Sequence, residues 1–148
     1  MKYYENRIVK VTAYPHKLNR SLVFAFVALV EAYYATRRPL NAMTDLGLTH
    51  NQKANFQKLK HFGIVYNVKD GEWLPTMLGF QFYHGEVAIW DTAASIGNDT
   101  LGYDHECWKT HTRELQKIKI TDLYSLDRKY ASREEYREHK RETLFDNI

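Results

Sequence analysis

Cysteine is all but missing from this chain: of 148 residues one, Cys107, is a cysteine. A single thiol closes no internal disulfide and cannot by itself supply the ligand sets of a structural zinc site, which points to a reducing, intracellular setting. Long apolar runs are missing too. The most apolar stretch, Leu22 to Val30, ends at Glu31, far short of the roughly 20 residues that span a bilayer, so a helix buried on most of its circumference is expected there and no membrane partner. Behind Met1, Lys2 and Tyr3 no apolar run follows a basic start, so no export signal is expected. There is no internal repeat and no low-complexity tract.

Two absences of charge carry more information than the net charge of +3. Between Thr49 and Lys69 there is no acid, while Lys53, Lys58, Lys60 and Lys69 are all present; the first twenty residues are also basic. From Asp70 to Trp108 there is neither lysine nor arginine, while seven carboxylates occur. A polyanion is attracted by the basic segments and repelled by the acidic one, so nucleic acid is expected to approach one side only.

Local signals divide the chain into an arm (1–17), a central unit (18–90) and an extension (91–148). Arg7 to Tyr14 alternates in polarity and reads as a strand. Asn19 is placed to cap a first helix from Arg20 to about Thr36, with Leu18 and Val23 as a hydrophobic staple and Arg37 and Arg38 at its negative end. Such an apolar helix is either the central core helix or, in part, a dimer interface. Pro39, with Leu40, Met43 and Leu46 at intervals of three, predicts a short second helix ended by Gly47. Thr49 and Gln52 form a capping box that starts a third.

At 100° per residue the third helix has two arcs. Gln52, Asn55, Phe56, Leu59 and Phe62 make the core arc; His50, Lys53, Ala54, Gln57, Lys60 and His61 make the polar one. Amides that pair with adenine, cations for guanine or phosphate, and a small Ala54 give the second arc the composition of a surface that reads a DNA groove. Gly63 stops the helix. A hairpin follows, Ile64 to Val68 and Glu72 to Leu74 across Asp70 and Gly71, then a short helix from Thr76 to Tyr83, a strand at Val87 to Trp90, and weaker strand signals at Thr92 to Ile96 and Lys117 to Ile120. Ser132 and Glu135 form a further capping box, opening a charged C-terminal helix.

The stretch from Leu46 to Val65, with Asn55, Phe56, Leu59 and Gly63 in its helix and Trp73, Thr76 and Gly79 after it, resembles winged helix-turn-helix domains. It is similar in particular to a group of small uncharacterised bacterial and phage proteins. The resemblance covers about half of the chain, Leu18 to Ile89. It implies a DNA-binding fold in a bacterial or phage setting. With the signals outside the matched half, the chain is expected to be α+β, a winged helix-turn-helix core with a small β-containing extension and a C-terminal helix, and the leading expectation is a non-enzymatic protein that binds double-stranded DNA without cofactor or metal.

On that reading His50, Lys53 and Gln57 reach base edges, Arg37, Arg38, Lys58 and Lys60 touch phosphates, and Ala54, His61 and Lys69 complete the DNA-binding set. A wing normally adds basic side chains; here Lys69 stands alone before Asp70 and Glu72. The alternative is a protein-interaction module that meets its partner through the acidic region 70–108, since a fold does not dictate its use. A homodimer through the first or the C-terminal helix is expected with the DNA-binding reading. Asp104, His105, Glu106 and Cys107, with His111 and His84, invite a metal or nucleophile reading. It lacks ligands and an orienting residue, and an ordinary buried cysteine is preferred.

Overall fold

The computed structural model describes residues 13–110 and 115–124, and the backbone of 2–4 and 7–9. The C-terminal helix expected from Ser132 onward, and His111, lie outside the described residues. Helices and small sheets mix in an α+β arrangement: β1 (Lys2–Tyr4), β2 (Arg7–Val9), β3 (Tyr14–Lys17), α1 (Arg20–Thr36), β4 (Leu40–Asn41), α2 (His50–Asn55), a 3₁₀ segment (Phe56–Phe62), β5 (Val65–Lys69), β6 (Glu72–Pro75), α3 (Met77–Tyr83), β7 (Ile89–Trp90), β8 (Thr92–Ile96), β9 (Asp99–Leu101), a second 3₁₀ turn (Glu106–Thr110), β10 (Lys117–Ile118) and α4 (Ile120–Tyr124). All strand pairs are antiparallel, in the orders β4-β6-β5, β3-β8-β9, β7-β10 and β1-β2.

The first helix is the centre of the core. Asn19 Oδ1 accepts from the Leu22 N–H at 2.9 Å, satisfying one orphan donor of the first turn. Eight of its residues, Leu22, Val23 and Ala25 to Val30, are buried. Each large apolar side chain so covered contributes roughly 1.5–3 kcal/mol. Its neighbours are the third helix, β6, α3 and α4, with Phe26 against Phe82 at 5.9 Å and Phe24 against Tyr124 at 5.0 Å. Its burial fits the expected central core helix, while Tyr34 near its end stays 37 % exposed. The helix ends at Arg37, whose backbone is left-handed (φ 56) and whose N–H bonds the Tyr33 carbonyl at 2.6 Å.

The expected second helix is absent. Leu40 instead pairs with Trp73 as an edge strand of the β4-β6-β5 sheet. Asn41 then makes a single turn, its carbonyl accepting from the Asp45 N–H at 2.8 Å and its Oδ1 from the Met43 N–H at 2.8 Å. The asparagine side chain replaces the second helix's hydrogen bonds locally. Leu40 and Leu46 are buried as expected, but Met43 is 51 % exposed. The strand expected over Arg7 to Tyr14 divides between β2 and β3, which runs through Pro15 and pairs with β8 from Tyr14↔Ser95 to Lys17↔Thr92.

Thr76 and Gly79 have a structural use. Thr76 Oγ1 caps α3 by accepting from the Gly79 N–H at 3.0 Å. A Cβ on Gly79 would be driven into the Ile64 carbonyl oxygen, so glycine is what lets α3 lie directly on the chain leaving the third helix. Among the described residues no helix is long and apolar enough to cross a membrane.

Candidate nucleic-acid interface

The third helix begins as the capping box requires. Thr49 Oγ1 accepts from the Gln52 N–H at 3.1 Å, and Gln52 Oε1 accepts from the Thr49 N–H at 3.0 Å. Gln52 also donates through Nε2 to the Ser21 carbonyl at 3.1 Å, tying α2 to the start of α1. This buried amide therefore belongs to the core arc, as its angle implies.

At Phe56 the winding tightens into 3₁₀ geometry. Three residues per turn place i, i+3 and i+6 on one line. Phe56, Leu59 and Phe62 share that line and are all buried, with Phe56 edge-on to Trp73 at 5.4 Å. Their spacing of three suits the tighter winding, which aligns three large apolar side chains that an α-helix would fan apart.

The tighter winding also splits the polar arc. Each 3₁₀ step turns about 20° further than an α-helical one, so by His61, five residues on, the side chain has rotated by about 100°. His61 falls in line with Lys58, on the side facing β8 and β9. There it is 9 % exposed. Its Nδ1 lies 2.6 Å from Thr100 Oγ1, and its ring stacks on His16 at 5.2 Å and 12°. His16 Nε2 in turn meets Ser95 Oγ at 2.7 Å. Burial, then His16, then Lys60 push the His61 imidazole down from 6.5 to about 4. Burial and then Lys58 lower that of His16. His61, expected on the polar DNA-facing arc, is thus corrected to a buried junction residue.

Lys53, Ala54, Gln57 and Lys60 keep a common face. They line one wall of a groove of about 390 Å³ whose opposite wall is the β5–β6 hairpin, through Asn67, Asp70, Gly71 and Trp73. Asn98 of the β8–β9 turn also lines it, as do Ala42 and Met43. Ala54 and Gln57 are exposed, and His50 stands exposed at the first turn. A concavity of this size takes a side chain or a small group; a duplex would meet only its rim. Asp70 puts a carboxylate on the far wall.

The expected phosphate-facing cations are dispersed. Lys58 lies on the opposite side of the helix, in a second cavity with His16 and Lys17. Arg37 lies over the rings of Tyr33 and Tyr34, at 5.6 and 5.1 Å. Arg38 is exposed. Lys69 reaches Glu72 Oε2 at 3.5 Å, so the hairpin's one lysine is partly neutralised on its own strand pair. Sequence reasoning overlooked Lys17, Asn51 and Asn98. Asn51 carried the missed signal, since at 100° per residue it stands beside His50.

The acidic stretch is not gathered at one place. Asp70 is at the hairpin tip, Asp91 is 7 % exposed, and Asp99 and Glu106 belong to β9 and the second 3₁₀ turn. Among the described residues no three of His, Cys, Asp and Glu are grouped to hold a metal ion, and the ring of His84 meets the hydroxyl of Tyr34 at 2.7 Å. No protein-family model matches this chain, and no curated protein or solved structure matches it.

Proposed function

We propose that this protein binds duplex DNA through a winged helix-turn-helix core, using the open face of the third helix. The observation that carries the reading is that Lys53, Ala54, Gln57 and Lys60 form an amide- and cation-bearing wall of a groove, with His50 exposed at the first turn of the same helix, while the helix's apolar strip is consumed in the core. The order α1, β4, turn, third helix, β5, β6, with β4 joining the hairpin as a third strand, agrees with a winged arrangement whose middle helix is reduced to one turn. Lys53 and Gln57 are the base-edge readers, with Ala54 permitting close approach. His50 and Lys60 flank them, and Arg38 supplies phosphate contact.

Titration of duplex DNA at several salt concentrations tests this. Binding should weaken steeply with salt, with a log–log slope of about 0.9 per phosphate contacted. Lys53→Ala with Gln57→Ala should cost roughly 1–3 kcal/mol per lost base contact and flatten sequence preference. Absence of binding at low salt would exclude the reading.

A second reading, a protein-binding module, is favoured by Met43, Met77, Tyr66 and Val68, large apolar side chains between 44 and 74 % exposed. The dispersal of the carboxylates weighs against the acidic region as the contact surface. Copurification of a stoichiometric protein without nucleic acid would favour this second reading.

A further inference from the structure

The side of the third helix turned away from the groove closes a second cavity, of about 300 Å³, against β3 and the first turn of α1. Lys17, Lys58, Asn51, Asn55, Ser21 and His16 contribute to its lining, and no carboxylate does. Among the described residues neither lysine has an acidic partner.

The hydrogen bonds around this cavity leave it mostly donors. Asn55 Nδ2 donates to both the carbonyl and Oδ1 of Asn51, at 2.9 and 3.0 Å. That fixes the Asn51 amide with its oxygen occupied and its Nδ2 free to donate. Asn19 Oδ1 is taken by the Leu22 N–H, and the Ser21 carbonyl by Gln52. His16 Nε2 is engaged with Ser95. Asn55 Oδ1 is the side-chain acceptor left over, against two ammonium groups, the Asn51 amide and the Ser21 hydroxyl. The cavity also opens at the N-terminal turn of a 17-residue helix, where the backbone dipole favours negative charge. Lys58 is close enough to depress the His16 imidazole, so its charge is felt at the cavity wall.

We infer that this cavity is a binding site for a phosphate group, held by Lys17, Lys58, the Asn51 amide and the Ser21 hydroxyl. Phosphate presents only acceptors, and ammonium and amide donors converging from three elements match it. Two sources share this chemistry. One is a phosphodiester of the duplex that the third helix reads, since the cavity flanks that helix opposite the β5–β6 hairpin, where a backbone strand bordering the major groove would run. The other is a free phosphate or phosphorylated small molecule. The duplex source rests on the DNA-binding reading; the site itself does not.

The test is a ¹H–¹⁵N NMR titration of the whole chain with inorganic phosphate at constant ionic strength, with chloride as control. Saturable shifts are expected at the Asn51 side-chain amide and the Ser21 and Leu22 backbone amides. They should vanish in Lys17→Gln with Lys58→Gln, whose spectrum elsewhere stays that of the folded parent. Failure of phosphate to produce a saturable shift there overturns the site. Given the shift, duplex titration identifies the source. Competition by duplex, with a salt slope lowered by about 0.9 in the double variant, assigns the phosphodiester, because the one phosphate held at the site is no longer neutralised. An unchanged slope assigns a free phosphate. Phosphate shifts without any duplex binding retain the site and remove the DNA-binding reading.

Discussion

Acidification should loosen the junction between the third helix and the β3-β8-β9 sheet, and His61 sets where. Its imidazole titrates at about 4 in the folded chain, against the ordinary 6.5. Between those values the unfolded chain binds a proton that the native one refuses. Stability from the neutral ring is therefore full above about pH 6.5, falls as pH drops below it, and stops falling near pH 4. A difference from 6.5 to about 4, at about 1.4 kcal/mol per pH unit, sets a ceiling on the order of 3 kcal/mol; relaxation around the ring should bring it to about 2.

His16 acts in the same direction, because two stacked rings at 5.2 Å beside Lys58 and Lys60 resist a second charge. Urea unfolding from about pH 7.5 to pH 4, followed by tryptophan emission, reads the effect, with His61→Gln as reference so that the carboxylates common to both proteins cancel. The native chain should lose about 2 kcal/mol more than the variant over that range. Parallel curves, or an NMR titration of His61 centred near 6.5, would refute the reasoning.

Gly79→Ala should destabilise by about 3 kcal/mol or more, because the new methyl meets the Ile64 backbone rather than a movable side chain; thermal unfolding checks this, and a neutral result would mean that α3 does not rest there. Thr49→Ala should cost about 1 kcal/mol through loss of the capping box, measured as a lower urea midpoint with unchanged m. Phe56→Ala removes the ring that meets Trp73 and should cost roughly 3–5 kcal/mol, with a visible change in Trp73 fluorescence. If the groove rim carries DNA, Asp70→Asn should raise affinity by about 0.3–1 kcal/mol at low salt, and the gain should shrink as salt is added.

Most of what depended on neighbours a few residues apart was legible in the chain alone, the turn at Asn41 excepted. The Asn19 cap, the Thr49 and Gln52 box, the left-handed Gly63 and the turn at Gly71 are all local hydrogen bonds or backbone preferences, and each of them occurs where the residue pattern places it. Four of the five residues of the core arc, Gln52, Phe56, Leu59 and Phe62, were legible for the same reason, since a stripe at spacing three or four is buried in either helical winding; Asn55, expected with them, is instead half-buried and lines the second cavity.

Pairing across long separations decided the rest. Leu40 leaves a helical pattern because Trp73, 33 positions away, offers a strand partner, and no periodicity within 39–47 contains that partner. His61 leaves the polar face because Thr100 and His16 receive it and because three apolar side chains favour a 3₁₀ winding. Residue type along a helix determined which side chains could serve as donors or cations here. Only packing against distant strands determined which of them still face water, because burial is a property of everything that surrounds a side chain and not of the order in which the chain is written.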